Sequence, residues 1–289
     1  MTMRTTLITL QKTTCIATAC IAALLATSCD LSPEAGALRD AAASETSDAA
    51  GDLVGNFGIV TFGQPSPTGG LGAFVDVDFE QVTGGACRHR RAIDGPCRVT
   101  ACASARTLSP VSAGKITLAG GAPRLLSLDP GVKNRYPSFT DSAPHWADGD
   151  PVSVEAVGAT VPAFRINLVF PPPITVTDPV APPGGEKATI NHAGGFTARW
   201  TGDRGTVRVR ITSTSGTHVA IDCRYDARAL TGTVPPTALS DLSFADTGAQ
   251  VHVDVESVAI ADAVADLPDE YSLEVAAIVG ALSFDAIVR

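Results

Sequence analysis

The sequence predicts an all-β protein with two β-sandwich-like domains in tandem. Three observations predict it. Apolar and polar residues alternate with period two in many short runs, the pattern of strands that bury one face. Breakers are frequent, 27 Gly and 20 Pro in 289 residues, so these runs are short and joined by turns. Aromatic residues make up only 5%, and Val, Thr and Ile fill the runs instead.

The first 28 residues read as an export signal. Arg4 and Lys12 are the only charges before Asp30, and the apolar stretch 15–26 follows them. That stretch falls short of the roughly 20 apolar residues that a transmembrane helix needs, and a positive segment followed by a short apolar one is the secretory pattern. Ala26-Thr27-Ser28 then precedes Cys29. The ending resembles a lipobox, which implies lipidation of Cys29, with Ala26 where Leu is usual. The same three small residues suit ordinary signal peptidase, which leaves a soluble periplasmic or secreted protein as the alternative. Residues 29–52 are rich in Ala, Ser, Asp, Glu and Gly and hold no aromatic, so they read as a disordered tether.

The first domain is expected over 53–172. In 73–80, Val75, Val77 and Phe79 share one face, and Asp76, Asp78 and Glu80 the other. Further strands are expected at 115–118, 125–128, 152–157 and 162–170. Pro171-Pro172-Pro173 then removes ladder donors and marks a boundary. The second domain is expected over 173–289, opened by the edge strand 174–177. Strands follow at 196–200, 206–211, 218–225, 251–258, 271–278 and 283–288, with a hairpin break at Gly280 favoured over a helix across 273–282.

Several segments carry a family resemblance. They are 196–202 with Trp200, Val207-Arg208-Val209, Cys223, 232–235 with Leu239, and upstream 95–102, 112–116, Gly120-Gly121, 146–149 and 161–164. Together, over roughly residues 70–240, the chain resembles uncharacterised exported proteins and lipoproteins of myxobacterial type with immunoglobulin-like β segments. The departure is an aromatic placed one position late, at Tyr225. The resemblance implies two immunoglobulin-like sandwiches and an envelope location, and it implies no activity or site residue.

Cleavage before Cys29 would remove 28 of 289 residues, leaving 261, and would take the formal charge from −9 to −11 with the loss of Arg4 and Lys12. An acidic chain of that size argues against nucleic acid as partner. Cys15 and Cys20 leave with the signal, so Cys87, Cys97, Cys102 and Cys223 remain, an even count that implies disulfides outside the cytoplasm. An extended run from Cys97 to Cys102 separates their Cα atoms by roughly 16 Å, and a disulfide needs about 7 Å or less. Cys87 is therefore expected to pair with Cys97 or Cys102, and Cys223 with the other. The alternative is one local bond with Cys223 a buried thiol. Cys87, His89, Cys97 and Cys102 match no standard zinc spacing, so no metal is expected.

No nucleophile elbow, zinc-protease helix, P-loop or dinucleotide fingerprint is present, so no catalytic residue and no cofactor are expected. The candidate binding residues are Arg88, Arg90 and Arg91, a basic cluster in an expected loop, and Trp146, the better surface candidate of the two tryptophans, beside Pro144 and Gly149. Trp200 shares a strand face with Phe196 and Ala198 and is expected in the core. The expectation is a non-enzymatic cell-envelope lipoprotein, outer membrane before inner, that acts as a binding or structural module for an envelope protein or glycan. The alternatives are a hydrolase using carboxylates near Asp76, Asp78 or Asp148, and an accessory subunit of an envelope complex.

Overall fold

The computed structural model describes residues 55–64, 72–83, 87–91, 95–102, 107–121, 125–214, 218–240, 249–262 and 271–289. The expected signal, the tether and Cys29 lie outside the described residues.

The described chain is mostly strand. In chain order it runs β1 (Gly55–Gln64), β2 (Ala73–Thr83), β3 (Cys87–Arg91), β4 (Cys97–Cys102), β5 (Thr107–Pro110), β6 (Ile116–Ala119), β7 (Leu125–Leu128), β8 (Phe139–Asp141) and β9 (Pro151–Ala156). It continues through β10 (Phe164–Val169), β11 (Thr175–Asp178), β12 (Ala188–Ile190), β13 (Phe196–Thr201), β14 (Thr206–Ser213), β15 (His218–Asp226) and β16 (Thr231–Val234). The short helix α1 (Pro236–Ser240), β17 (Ala249–Asp262) and β18 (Tyr271–Val288) complete it.

An 11-stranded sheet dominates, in the order β3-β4-β15-β14-β17-β18-β1-β2-β5, with β12 added to β18 and β8 to β2. Two smaller sheets, β10-β9-β6-β7 and β11-β13-β16, complete the fold. Strand β18 pairs with β17 along its length. Its other edge takes β1 in parallel over 271–279 and β12 in parallel over 286–288. Gly63 makes the β1 approach possible, because a Cβ there would stand 1.9 Å from the Ile278 carbonyl oxygen.

Both apolar cores lie on the same face of the large sheet. Val253 stands opposite Ile211 and Phe284, and Ala259 opposite Ala277, all on the odd-numbered face of β17. One core joins that face to the β11-β13-β16 sheet through Trp200, Phe196, Ile211, Ile221, Leu239 and Val253. The other joins it to the β10-β9-β6-β7 sheet through Phe62, Phe79, Ile116, Val154 and Phe170. The alternation read in the sequence supplies these faces, because each buried apolar residue of β2, β14 and β15 is two positions from the next.

Where the expectations differ, topology or side-chain packing explains the difference. The boundary at 171–173 does not divide the sheet. Strand β1 from the first half pairs with β18 from the second, and β4 with β15, and contacts gather the described residues into a single unit. Proline blocks a strand locally but does not dictate which strands pair afterwards. The hairpin expected at Gly280 is a continuous strand, β18, with one extra residue, Ala281, where the register with β17 shifts. Trp146 is buried at 5% exposure, its ring 5.2 Å from Phe62 and stacked 5.8 Å from Phe170. Apolar contact of the indole with Phe62 and Phe170 outweighs its loop position. Trp146→Ala is expected to cost about 3–5 kcal/mol, read as a lower urea midpoint at unchanged slope. Trp200 lies in the core as expected, donating from Nε1 to the Ala227 carbonyl at 2.9 Å.

Cys97 and Cys223 form a disulfide, joining β4 to β15 across a sequence separation of 126. Of the two pairings left open for Cys223 by the sequence, this is the one realised. The bond sits in the core beside Tyr225, whose hydroxyl lies 3.7 Å from Cys97 Sγ. Burial pushes the Tyr225 phenol up to about 12.

Candidate functional site

The even-numbered face of β17 carries the chemistry. Among the described elements both smaller sheets pack on the odd face, and the even face belongs to the large sheet alone. Its apolar patch, Val258, Ile260, Ala276, Ile278 and Phe74, comes wholly from β17, β18 and β2.

Two polar clusters flank that patch. In the first, register places Arg208 of β14 opposite Glu256 of β17 and Arg224 of β15. Arg208 Nε donates to Glu256 Oε1 at 2.6 Å, and Nη1 donates to Glu274 Oε1 at 2.9 Å. Arg224 Nη2 donates to Glu274 Oε2 at 3.3 Å, and its Nε lies 3.4 Å from Asp222 Oδ1. Arg208 is 3% exposed and Glu256 9%. Burial disfavours the Arg208 charge, but Glu256, Glu274 and Asp222 outweigh it and raise its pKa. Burial likewise raises the Glu256 carboxyl, and the Arg208 guanidinium opposes that shift.

The second cluster centres on His252. In the imidazolium, Nδ1 donates to Asp285 Oδ1 at 2.8 Å and Nε2 donates to Ser283 Oγ at 2.9 Å. Asp254 Oδ1 lies 3.3 Å from Nε2. Partial burial lowers the His252 pKa, but the Asp285 hydrogen bond and the Asp254 charge outweigh it, so the pKa is raised from 6.5. The sign follows from linkage: the folded state favours the protonated ring, so this stabilisation is full below pH 6.5 and is lost as pH rises through the folded-state pKa. In an NMR titration the His252 imidazole is expected to titrate above 6.5, and Asp285→Asn to move it down. No movement in that variant would contradict the assignment of cause.

Between the clusters lies a depression of about 190 Å³, lined by Gln64, Phe74, Glu256, Gly280 and Ser283 among others. It forms where Ala281 is the extra residue of β18, and a bulge of this kind re-aims neighbouring side chains.

No protein-family model matches the chain, and no curated protein is significantly similar to it. The site is therefore argued from its own chemistry.

Ser283, His252 and Asp285 have the order of an acyl-transfer triad. A general base, however, needs a neutral Nε2, and carboxylates against both ring nitrogens favour the imidazolium. The same contacts join β17 to β18.

The residues singled out from the sequence fall elsewhere. Arg88, Arg90 and Arg91 lie in edge strand β3, where a loop was expected. Arg88 stands opposite Ala101, Arg90 opposite Val99 and Arg91 opposite Arg98, and their side chains lie outside the described residues. Pairing with β4 satisfies backbone groups that a loop would leave to water. Trp146 is core and has no part in a surface site. Asp76 and Asp78 project from β2 as exposed carboxylates. Asp148 pairs with Arg204, and the Asp150 carboxylate accepts from the Ala147 N–H at 2.8 Å, closing its turn. Among the described residues no group of three or more His, Cys, Asp or Glu is placed to hold a metal. Sequence reasoning missed His252, Ser283, Asp285, Arg208 and Glu256. The signal was present as His252-x-Asp254 and Ser283-x-Asp285, but it needs the β17–β18 register to become a site.

Proposed function

We propose that the chain is a non-enzymatic surface module of the bacterial cell envelope, held to a membrane, the outer before the inner, by lipid on Cys29. On this reading residues 29–52 are the leash, and the even face of the large sheet meets an envelope protein or glycan. The resemblance to exported proteins with immunoglobulin-like segments belongs to the same proposal.

One observation carries it. Two layers cover one face of the 11-stranded sheet, and the other face holds interlocked Arg, Asp, Glu and His side chains around a shallow depression. Arg208 and Glu256 are buried within that face, and His252, Ser283 and Asp285 are accessible polar groups on it, a shallow array that suits recognition more than turnover. The Cys97–Cys223 bond adds support for export, since disulfides persist in oxidising compartments.

Two measurements test it. Radiolabelled palmitate is expected in the wild-type chain and absent from Cys29→Ala; label retained in that variant ends the anchor reading. A photo-crosslinking residue at the exposed Ser283 position is expected to capture a cell-envelope component in intact cells. The same residue at Val132, 87% exposed and outside the sheet, serves as control. Equal capture from both positions would remove the even face from the proposal.

The hydrolase alternative draws on the Ser283–His252–Asp285 contacts. Labelling of Ser283 by a fluorophosphonate, abolished by His252→Ala, would replace the binding reading with that one.

A further inference from the structure

We infer that Cys87 and Cys102 form a second disulfide, which fastens edge strand β3 to β4. Two independent observations lead to it. The Cys97–Cys223 bond consumes two of the four cysteines beyond Cys29, so only this pairing is left for the others. The antiparallel register of β3 and β4 makes Cys87 and Cys102 direct Cα partners at the end of the ladder. Directly opposed residues in such a pair hold their Cα atoms about 4.5–5.5 Å apart, inside the span of about 4.4–6.8 Å that a disulfide bridges. An arbitrary pair of cysteines meets neither condition.

The two bonds divide the work along β4. Cys97 and Cys102 are five positions apart and so fall on opposite faces of the strand. Cys97 faces the core and ties β4 inward to β15, whereas Cys102 stands at the other end and ties β4 outward to β3. Strand β3 has five residues and, among the described strands, pairs only with β4, so its place in the sheet has little other support. A covalent tie at its first residue fixes the register and keeps the sheet edge from offering itself to another chain.

The chemistry requires an oxidant, and the inference rests on export to a compartment that supplies one. A thiolate of the pair attacks the disulfide of an exported thiol oxidase, forming a mixed disulfide and releasing one oxidase thiol. The second cysteine thiolate then attacks that mixed disulfide and releases the other. The two cysteines lose two protons and two electrons, and the oxidase leaves as a dithiol.

The test is peptide mapping of the full-length protein taken from its native envelope fraction, alkylated under denaturing conditions without reductant. The expected result is a peptide pair joined through Cys87 and Cys102, two hydrogens lighter than the sum of its parts and separated by reductant. Alkylated Cys87 and Cys102 beside an intact Cys97–Cys223 pair would overturn the inference and leave export standing. Alkylation of all four would overturn both. Cys87→Ser adds a second readout. Cys102 is expected to change from fully protected to fully alkylated in that variant, and equal protection in wild type and variant would overturn the inference.

Discussion

Arg208→Met is expected to destabilise the protein by about 3–5 kcal/mol, because it strands the Glu256 carboxylate without its cation in a buried position. The size of the effect comes from the asymmetry of buried ion pairs. Forming the pair gains little over an apolar pair of equal volume, whereas removing one member leaves a desolvated charge. The companion experiment is therefore the double replacement Arg208→Met with Glu256→Leu, expected to recover most of the loss. Arg224→Ala is the contrast. Its side chain is 29% exposed and its partner Asp222 24%, so the expected cost is below about 1 kcal/mol. Chemical denaturation of the four proteins at pH 7 checks the series. A single variant no weaker than the double would show that burial at Glu256 is not what makes Arg208 necessary.

Loss of the Cys97–Cys223 bond is the second large effect. The separation of 126 residues makes the closed loop long, and the chain-entropy account assigns such a loop close to 5 kcal/mol. Typical domains have about 5–15 kcal/mol in all, so Cys97→Ala with Cys223→Ala is expected to leave a marginal or unfolded chain. Both residues are at most 1% exposed, so reductant should reach the bond only through unfolding. The expected result is a urea midpoint far below wild type in the double variant, together with slow reduction of the native protein. Rapid reduction under native conditions would mean that the β4–β15 region opens locally.

The strands were largely legible in the sequence and their partners were not. Alternation in β2, β14 and β15 marks the buried positions because period two is a property of the strand itself. Strand order depends on contacts between distant residues, and alternation carries no information about them. That is why proline at 171–173 suggested a division which the pairing of β1 with β18 ignores. The bulge at Ala281 hid β18 for a more local reason: one extra residue reverses the parity of alternation, so a single strand looked like two. The β8, β12 and β16 strands have three or four residues each, too few for a periodic signal. The even-face clusters were illegible because His252 and Ser283 meet only once the register of two strands is known. Trp146 was misplaced because its neighbours Pro144 and Gly149 describe its backbone, and the destination of its ring depends on Phe62 and Phe170.

Strand β18 closes the sheet between the earliest described strand and those made late in the chain. Until residues 271–288 emerge, β1 lacks its parallel neighbour and both apolar cores stand half lined. The nascent chain is thus committed to stay loose until residues 271–288 have been made. On the export proposed above, a chain that threads a translocation pore before it folds would gain from such a delay. The same arrangement makes the halves inseparable on heating, so one calorimetric endotherm, and no stable fragment from limited proteolysis near 172, is the expected behaviour.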